Sequence, residues 1–203
     1  RPVPRRGDSA NYALDWADAV KVLSACECLE DFIVVGVPIF FGLRVSELAH
    51  LRADWVHGEE LRVPLEQKCS CHECIIERDG VWHPKTMAGT RSLPIVKPIR
   101  NNLLNFLRHH PNGLGMTRQW IHKRTKYLMK KAGIRARGPS QDTGYPHALR
   151  ATCASLLAGA GMSAAYLSYF MGWKSIQVGD HYVKLATAKE GAVKEATRIF
   201  GGR

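Results

Sequence analysis

His147 and Arg150 stand three residues apart in PHALRATCASLL, directly after Pro146 and ahead of the apolar residues Leu149, Cys153, Leu156 and Leu157. Side chains at i and i+3 share one helix face, so an imidazole and a guanidinium would point the same way from one helix end. A guanidinium is a planar, permanently charged fork that fits two phosphate oxygens. An imidazole can pass a proton near neutral pH. Tyr182 follows in VGDHYVK, and a phenol becomes a covalent nucleophile once it is activated. Its neighbour His181 would point about 100° away on a helix, which suits packing or a phosphate contact rather than a base. Singly these residues mean little, since HxxR recurs by chance and a helical tyrosine is usually core or interface.

Three further pieces stand in order. Arg44 lies in GLRVSEL, with Glu47 three residues on; Lys85 lies in HPKTMAGTRSLP; and Met171-Gly172-Trp173 forms a turn between Arg150 and Tyr182. From about Leu14 to Phe200 the ordered set resembles the C-terminal catalytic domain of the tyrosine recombinases, the phage-integrase family, in an archaeal or viral integrase-like form. Gly89, Arg91 and Pro94 match the strand that follows the family's lysine. Trp173 departs from the commoner histidine; it can donate its indole N–H or pack on the tyrosine helix, but it cannot transfer a proton.

The resemblance implies a mechanism. Arg44 and Arg150 would clamp the equatorial oxygens of a phosphodiester, supported by Glu47, and stabilise the charge that attack adds. Tyr182 would attack phosphorus to give a 3′-phosphotyrosyl link, Lys85 would protonate the leaving 5′ oxygen, and His147 would assist proton transfer at the tyrosine. The expected function is a site-specific DNA recombinase or integrase that needs neither ATP nor a catalytic metal. A type IB topoisomerase-like relaxing enzyme is one alternative. A non-catalytic DNA-binding protein on the same scaffold is the other. The family further implies double-stranded DNA as partner and a homo-oligomer, a tetramer, on it, with the terminal helix packed on a neighbouring subunit.

Cys69, Cys71 and Cys74 crowd one stretch, KCSCHECIIERDGVWHPK, beside His72 and His83. Three thiols and one imidazole can hold a structural zinc tetrahedrally, with His83 or His72 as the fourth ligand. Reduced loop cysteines are the competing reading. Cys26, Cys28 and Cys153 suit small apolar positions in helices.

Bulk properties agree with a nucleic-acid partner. The 203 residues carry a net charge of +11 with an ordinary apolar fraction of 45%, which favours a polyanion. The longest apolar run, Phe32 to Leu43, contains Gly36 and Pro38 and is too short for a membrane span of about 20 residues. The absence of a signal-peptide pattern and six cysteines without a disulfide-scaffold layout point to an intracellular, cytoplasmic setting with host DNA. The chain opens on Arg1, so a fragment or processed product is expected, without the family's N-terminal core-binding domain.

The elements that must position these groups are mainly α with a small antiparallel β-sheet, an α+β pattern. Residues 1–12 read as a basic linker or arm and 13–203 as the catalytic domain. Helices are expected at about Leu14–Leu29, Asp31–Phe41, Ser46–Leu51, Pro98–His109, Thr117–Ala132, 147–160, 163–171, 175–185 and 188–200. Residues 61–65 and 91–95 alternate as strands, with Lys85 on a hairpin between them and a Gly/Pro-rich loop at 134–146. The 117–132 helix carries Arg118, Lys123, Arg124, Lys126, Lys130 and Lys131, a basic face suited to a DNA backbone.

Overall fold

Helix α2 (Leu29–Phe41) is apolar on nearly every side, and a helix of that kind belongs inside. The computed structural model places it at the centre, with Ile33, Val34, Val35, Val37 and Phe41 fully buried. The structure describes residue 10, residues 12–134 and residues 146–200. The expected arm at 1–12 and loop at 134–146 fall largely outside the described residues.

Around α2 pack α1 (Trp16–Ser24), α5 (Lys97–His109), α6 (Arg118–Lys131) and α7 (Pro146–Gly159). Asp15 and Thr117 cap α1 and α6, each accepting from a first-turn N–H. The short α3 (Val45–Ala49) follows α2 through Gly42. Helix α7 is anchored from a distance: the Leu14 N–H donates to Thr152 Oγ1 across 138 residues at 2.8 Å.

The expected sheet is present. Strand β2 (Glu60–Val63) pairs antiparallel with β5 (Arg91–Pro94), Leu61 opposite Leu93, and β1 (Val56–His57) adds an edge. Its core face buries Leu61, Val63 and Leu93. Pro94 ends its strand, as its missing N–H requires.

One expectation is corrected between β2 and β5. Strands β3 (Gln67–Lys68) and β4 (Val81–Trp82) make a second, two-stranded sheet around a short helix α4 (His72–Glu77). Since β4 pairs with β3 and β5 with β2, Lys85 lies on a crossover between the sheets and not on a hairpin. Gly89 is needed there for close approach: a Cβ would sit 2.5 Å from Pro84 Cβ.

Helix α8 (Ala164–Met171) is followed by a single helix α9 (Ile176–Phe200), where two helices are expected. One glycine, Gly191, interrupts the second half, and its cost of about 1 kcal/mol is too small to break a helix. Among the described residues no helix is long and apolar enough to cross a membrane.

Candidate active site

Glu47 is the pivot of the site. It is fully buried on α3. Its Oε2 accepts from the Arg44 backbone N–H and from Arg91 Nη2, both at 3.0 Å, and its Oε1 accepts from Arg44 Nη1 at 2.8 Å. The carboxylate thus caps α3 and holds two guanidiniums. Arg44 also donates through Nη2 to the Gly172 carbonyl at 2.8 Å. The buried Arg91 donates to the Phe170 and Gly89 carbonyls at 2.8 and 2.6 Å. Arg91 therefore ties β5 to the end of α8. The sequence pattern marked it only as part of a strand match, because its partners are distant in the chain.

Arg150 lies on α7, 3% exposed, and donates to the carbonyls of Gly42 and Met171. Both carbonyls belong to helix ends that glycines close. Gly172 is obligatory at its end: its φ is +61°, and a Cβ would meet the Ala88 carbonyl and Arg91 Nη1 at 2.9 Å. The turns expected around Arg44 and Trp173 thus meet at Arg150.

Three guanidiniums share one carboxylate here, so the site holds excess positive charge. Burial, then the Arg44 charge, pushes Arg150 down to about 9, which leaves it protonated at neutral pH. Burial alone would raise Glu47, but Arg91, then Arg150 and Arg44, outweigh it and hold the carboxyl below its ordinary value. A bound anion between Arg44 and Arg150 would relieve the residual repulsion.

His147 is exposed, one turn before Arg150. Desolvation by its surroundings, then the charges of Arg150 and Arg44, lower its pKa from 6.5. It is neutral at pH 7 and able to accept a proton. Tyr182, on α9, is 3% exposed within an apolar cluster that includes Ala154, Leu167 and Met171. Its ring stacks on Trp173, centroids 5.2 Å apart, and the Arg150 guanidinium carbon lies 6.0 Å from the Trp173 ring centre. Trp173 thus lies between Arg150 and the tyrosine. His181 is exposed and touches the Tyr182 ring edge-on at 6.2 Å. Lys85 is exposed on the crossover.

The cysteine cluster assembles with a different histidine from those expected. His50, Cys69, Cys71 and Cys74 place their donor atoms within 4.8 Å of one another. His72 is exposed at the start of α4, and His83 Nδ1 lies 3.0 Å from the Pro84 carbonyl. His50 escaped the sequence reading because it precedes the cysteines by about 20 residues, with three strands between. A cleft of about 600 Å³ opens beside the cluster, lined in part by Cys69, Cys71, Met116 and Arg118, and by none of the site arginines.

Helix α6 sorts its charges by face. Arg124 binds Asp31 through two hydrogen bonds, at 2.6 and 2.7 Å, and Lys131 reaches Glu27 at 2.7 Å. Arg118 pairs with Glu73 on α4 at 2.7 Å. These three cations are held by carboxylates of the fold. Helical spacing puts His122, Lys123, Lys126 and Lys130 within about 100° of arc on another face, all exposed. That face adjoins the site, since His122 contributes to lowering the His147 pKa.

The Glu47 pKa carries a stability prediction. A folded-state pKa below the unfolded value, about 4.3, gives stabilisation that is present at neutral pH and lost as pH falls through the folded pKa. Glu47→Gln should cost about 3–5 kcal/mol at pH 7, as for a broken buried ion pair. Thermal unfolding from pH 7 to pH 3 should show the gap between the two proteins closing with acid. A gap independent of pH would mean that the carboxylate charge contributes nothing.

The model of the phage integrase family matches residues 14–189. No curated protein matches the chain. Among solved structures, the chain superposes on XerA recombinase with a TM-score of 0.66 and 18% identity, covering 96% of this chain and 65% of that one. It superposes on the Tn1549 transposon integrase bound to transposon right end DNA with a TM-score of 0.63 and 21% identity, covering 84% and 60%. For the catalytic domain of bacteriophage HP1 integrase the TM-score is 0.59 and the identity 17%, covering 94% and 98%. At these identities the likeness establishes the fold. The chain thus spans under two thirds of the first two proteins and nearly all of the isolated HP1 domain.

Proposed function

The chain belongs to the phage integrase family, and on that premise we propose that it is a site-specific DNA recombinase that cleaves and rejoins strands through a 3′-phosphotyrosyl intermediate. The observation that carries this reading is the chain of contacts from Arg44 and Glu47 to Gly172, and from Arg150 to Trp173 and Tyr182. It supports reading the two arginines as an anion clamp beside the tyrosine.

In the reaction, Arg44 and Arg150 hold the two non-bridging oxygens of the scissile phosphate. The Tyr182 oxygen attacks phosphorus and loses its proton with the help of neutral His147. The bond to the 5′ oxygen breaks, and Lys85 gives that oxygen a proton. Attack by a 5′ hydroxyl of a second strand reverses each step and releases Tyr182. Every proton is accounted for by side chains of this chain, without ATP or a catalytic metal. A structural zinc at the cysteine cluster would accompany this reading without taking part in the chemistry.

Tyr182 is 3% exposed, one ring away from the Arg150 side through its stack on Trp173. Beyond Lys184, α9 carries exposed Val193 and Ile199, which supports contact with another copy on DNA, in a tetramer by analogy with the family. Action on host DNA puts the protein inside the cell.

The direct test is a nicked suicide substrate that traps the covalent protein–DNA adduct. Adducts distinguish this reading from a non-catalytic DNA-binding scaffold. Exchange between two sites, rather than relaxation of supercoils at any sequence, distinguishes it from a topoisomerase-like enzyme.

The α6 face predicts how DNA is held. Each phosphate neutralised should contribute about −0.9 to the slope of log K against log salt. Replacing Lys123, Lys126 and Lys130 together by Gln should flatten that slope by about two to three. An unchanged slope would mean that this face does not touch the backbone.

A further inference from the structure

We propose that His50, Cys69, Cys71 and Cys74 bind one zinc ion, and that this ion clamps the segment leading to Lys85 onto the helix that Arg44 caps. The role assigned to the clamp rests on the recombinase reading above; the metal site does not.

The donor geometry supports a tetrahedral ion. Bonds of about 2.3 Å to sulfur and 2.0–2.1 Å to nitrogen set donor–donor separations of about 3.5–3.8 Å. His50 Nε2 lies 3.3 Å from Cys74 Sγ and 3.5 Å from Cys71 Sγ. The imidazole is oriented for ligation. Its Nδ1 is 2.7 Å from the Ser46 carbonyl, an oxygen that can only accept, so the proton sits on Nδ1 and the Nε2 lone pair faces the thiols. A metal-binding histidine is held in this way by a backbone carbonyl. The ring is fixed on its other side by Trp82, stacked at 5.1 Å, which leans on Trp55. Two sulfurs accept backbone N–H groups: Cys69 Sγ from Cys71 and Cys71 Sγ from Cys74, both at 3.4 Å. Such donors favour thiolates. Three thiolates and an imidazole, without a carboxylate, are a soft set that selects zinc over magnesium or calcium.

The segment needs a fastening. Between β2 and β5 the chain makes a two-stranded sheet and a one-and-a-half-turn helix, and its buried apolar side chains among the described residues are few: Cys74 and Trp82, with Pro84 beside the crossover. A lone two-stranded pair is marginal in water, and small units of this kind are stapled by metals. The staple here has a direction. His50 ends α3 and Arg44 begins it. Cys74 and Trp82 lie on the path to Lys85, three residues past the tryptophan that stacks on His50. Zinc would fix the general acid's segment relative to the phosphate clamp while remaining outside the chemistry.

The test begins with metal content. The purified chain should carry about one zinc, and cobalt(II) in its place should give the intense visible bands of a tetrahedral thiolate site. His50→Ala and Cys74→Ser should lose the metal, whereas His72→Ala and His83→Ala should keep it. His50→Cys should retain it, because four thiolates also bind zinc; this variant guards against loss through misfolding alone. Far less than one metal per chain, a Cys71–Cys74 disulfide in the protein kept under reductant, or full metal in His50→Ala would overturn the site. Chelation should then speed proteolysis within residues 64–90 and slow cleavage of nicked DNA at least tenfold, with zinc restoring both. Unchanged proteolysis and cleavage after metal removal would overturn the clamp and leave the site standing. A protein that binds zinc but forms no adduct in any metal state would instead count against the recombinase reading.

Discussion

A Tyr182→Phe variant should form no covalent adduct on a nicked suicide substrate, while binding DNA as the parent does. The change removes one oxygen and keeps the ring. The stack on Trp173 at 5.2 Å and the packing of the apolar cluster should therefore survive. Matched thermal unfolding of the two proteins assigns the loss to chemistry. The other tyrosines of the terminal region, Tyr166 and Tyr169, lie on α8, exposed and outside the apolar cluster that holds Tyr182. Denaturing gel analysis of trapped complexes gives the answer. An adduct formed by the Phe variant would remove Tyr182 from the role of nucleophile, whatever its place in the fold.

Lys85→Ala should slow cleavage by about 10²–10⁴-fold, the range for losing a positioned general acid, with DNA affinity nearly intact. The reason lies in the leaving group. A 5′ alkoxide is too basic to depart without a proton, whereas a thiolate has a pKa of about 8.5 and leaves alone. A substrate with sulfur at the scissile 5′ bridging position should restore the variant's rate. Arg150→Ala serves as the contrast. It removes a donor that stabilises phosphorane charge, costing about 2.7–4 kcal/mol, and the sulfur substrate should not help it, because the missing charge acts on other oxygens. If sulfur fails to rescue Lys85→Ala, the lysine is not the acid. If sulfur rescues Arg150→Ala equally, the two roles have not been separated.

The pair of predictions exposes a tension in the structure. Tyr182 is sealed in a core of small apolar side chains, while Arg44, His147 and Lys85 face solvent at least in part. The junction at Met171–Gly172–Trp173 holds Arg44 and Arg150 through backbone carbonyls and leads directly into α9.

Much was determined by the sequence alone. The helices around the core follow from apolar spacing and from caps such as Asp15 and Thr117, which are local signals. The β2–β5 pair follows from strict alternation. Arg44, Lys85, His147, Arg150, Trp173 and Tyr182 are legible in order because the spacing of motifs in a chain survives any folding of the segments between them. Tertiary structure alone decided the rest. The Glu47–Arg91 pair joins residues 44 positions apart, and a charge pair has no period by which to announce itself. Strands of two residues, as in β3 and β4, are too short to show alternation, so the crossover that carries Lys85 reads as a hairpin. His50 resembles any helix-end histidine until the chain returns three thiols to it. The burial of Tyr182 depends on α7 and α8 closing over α9, and a tyrosine suits a core and a reaction centre equally well until its neighbours are in place.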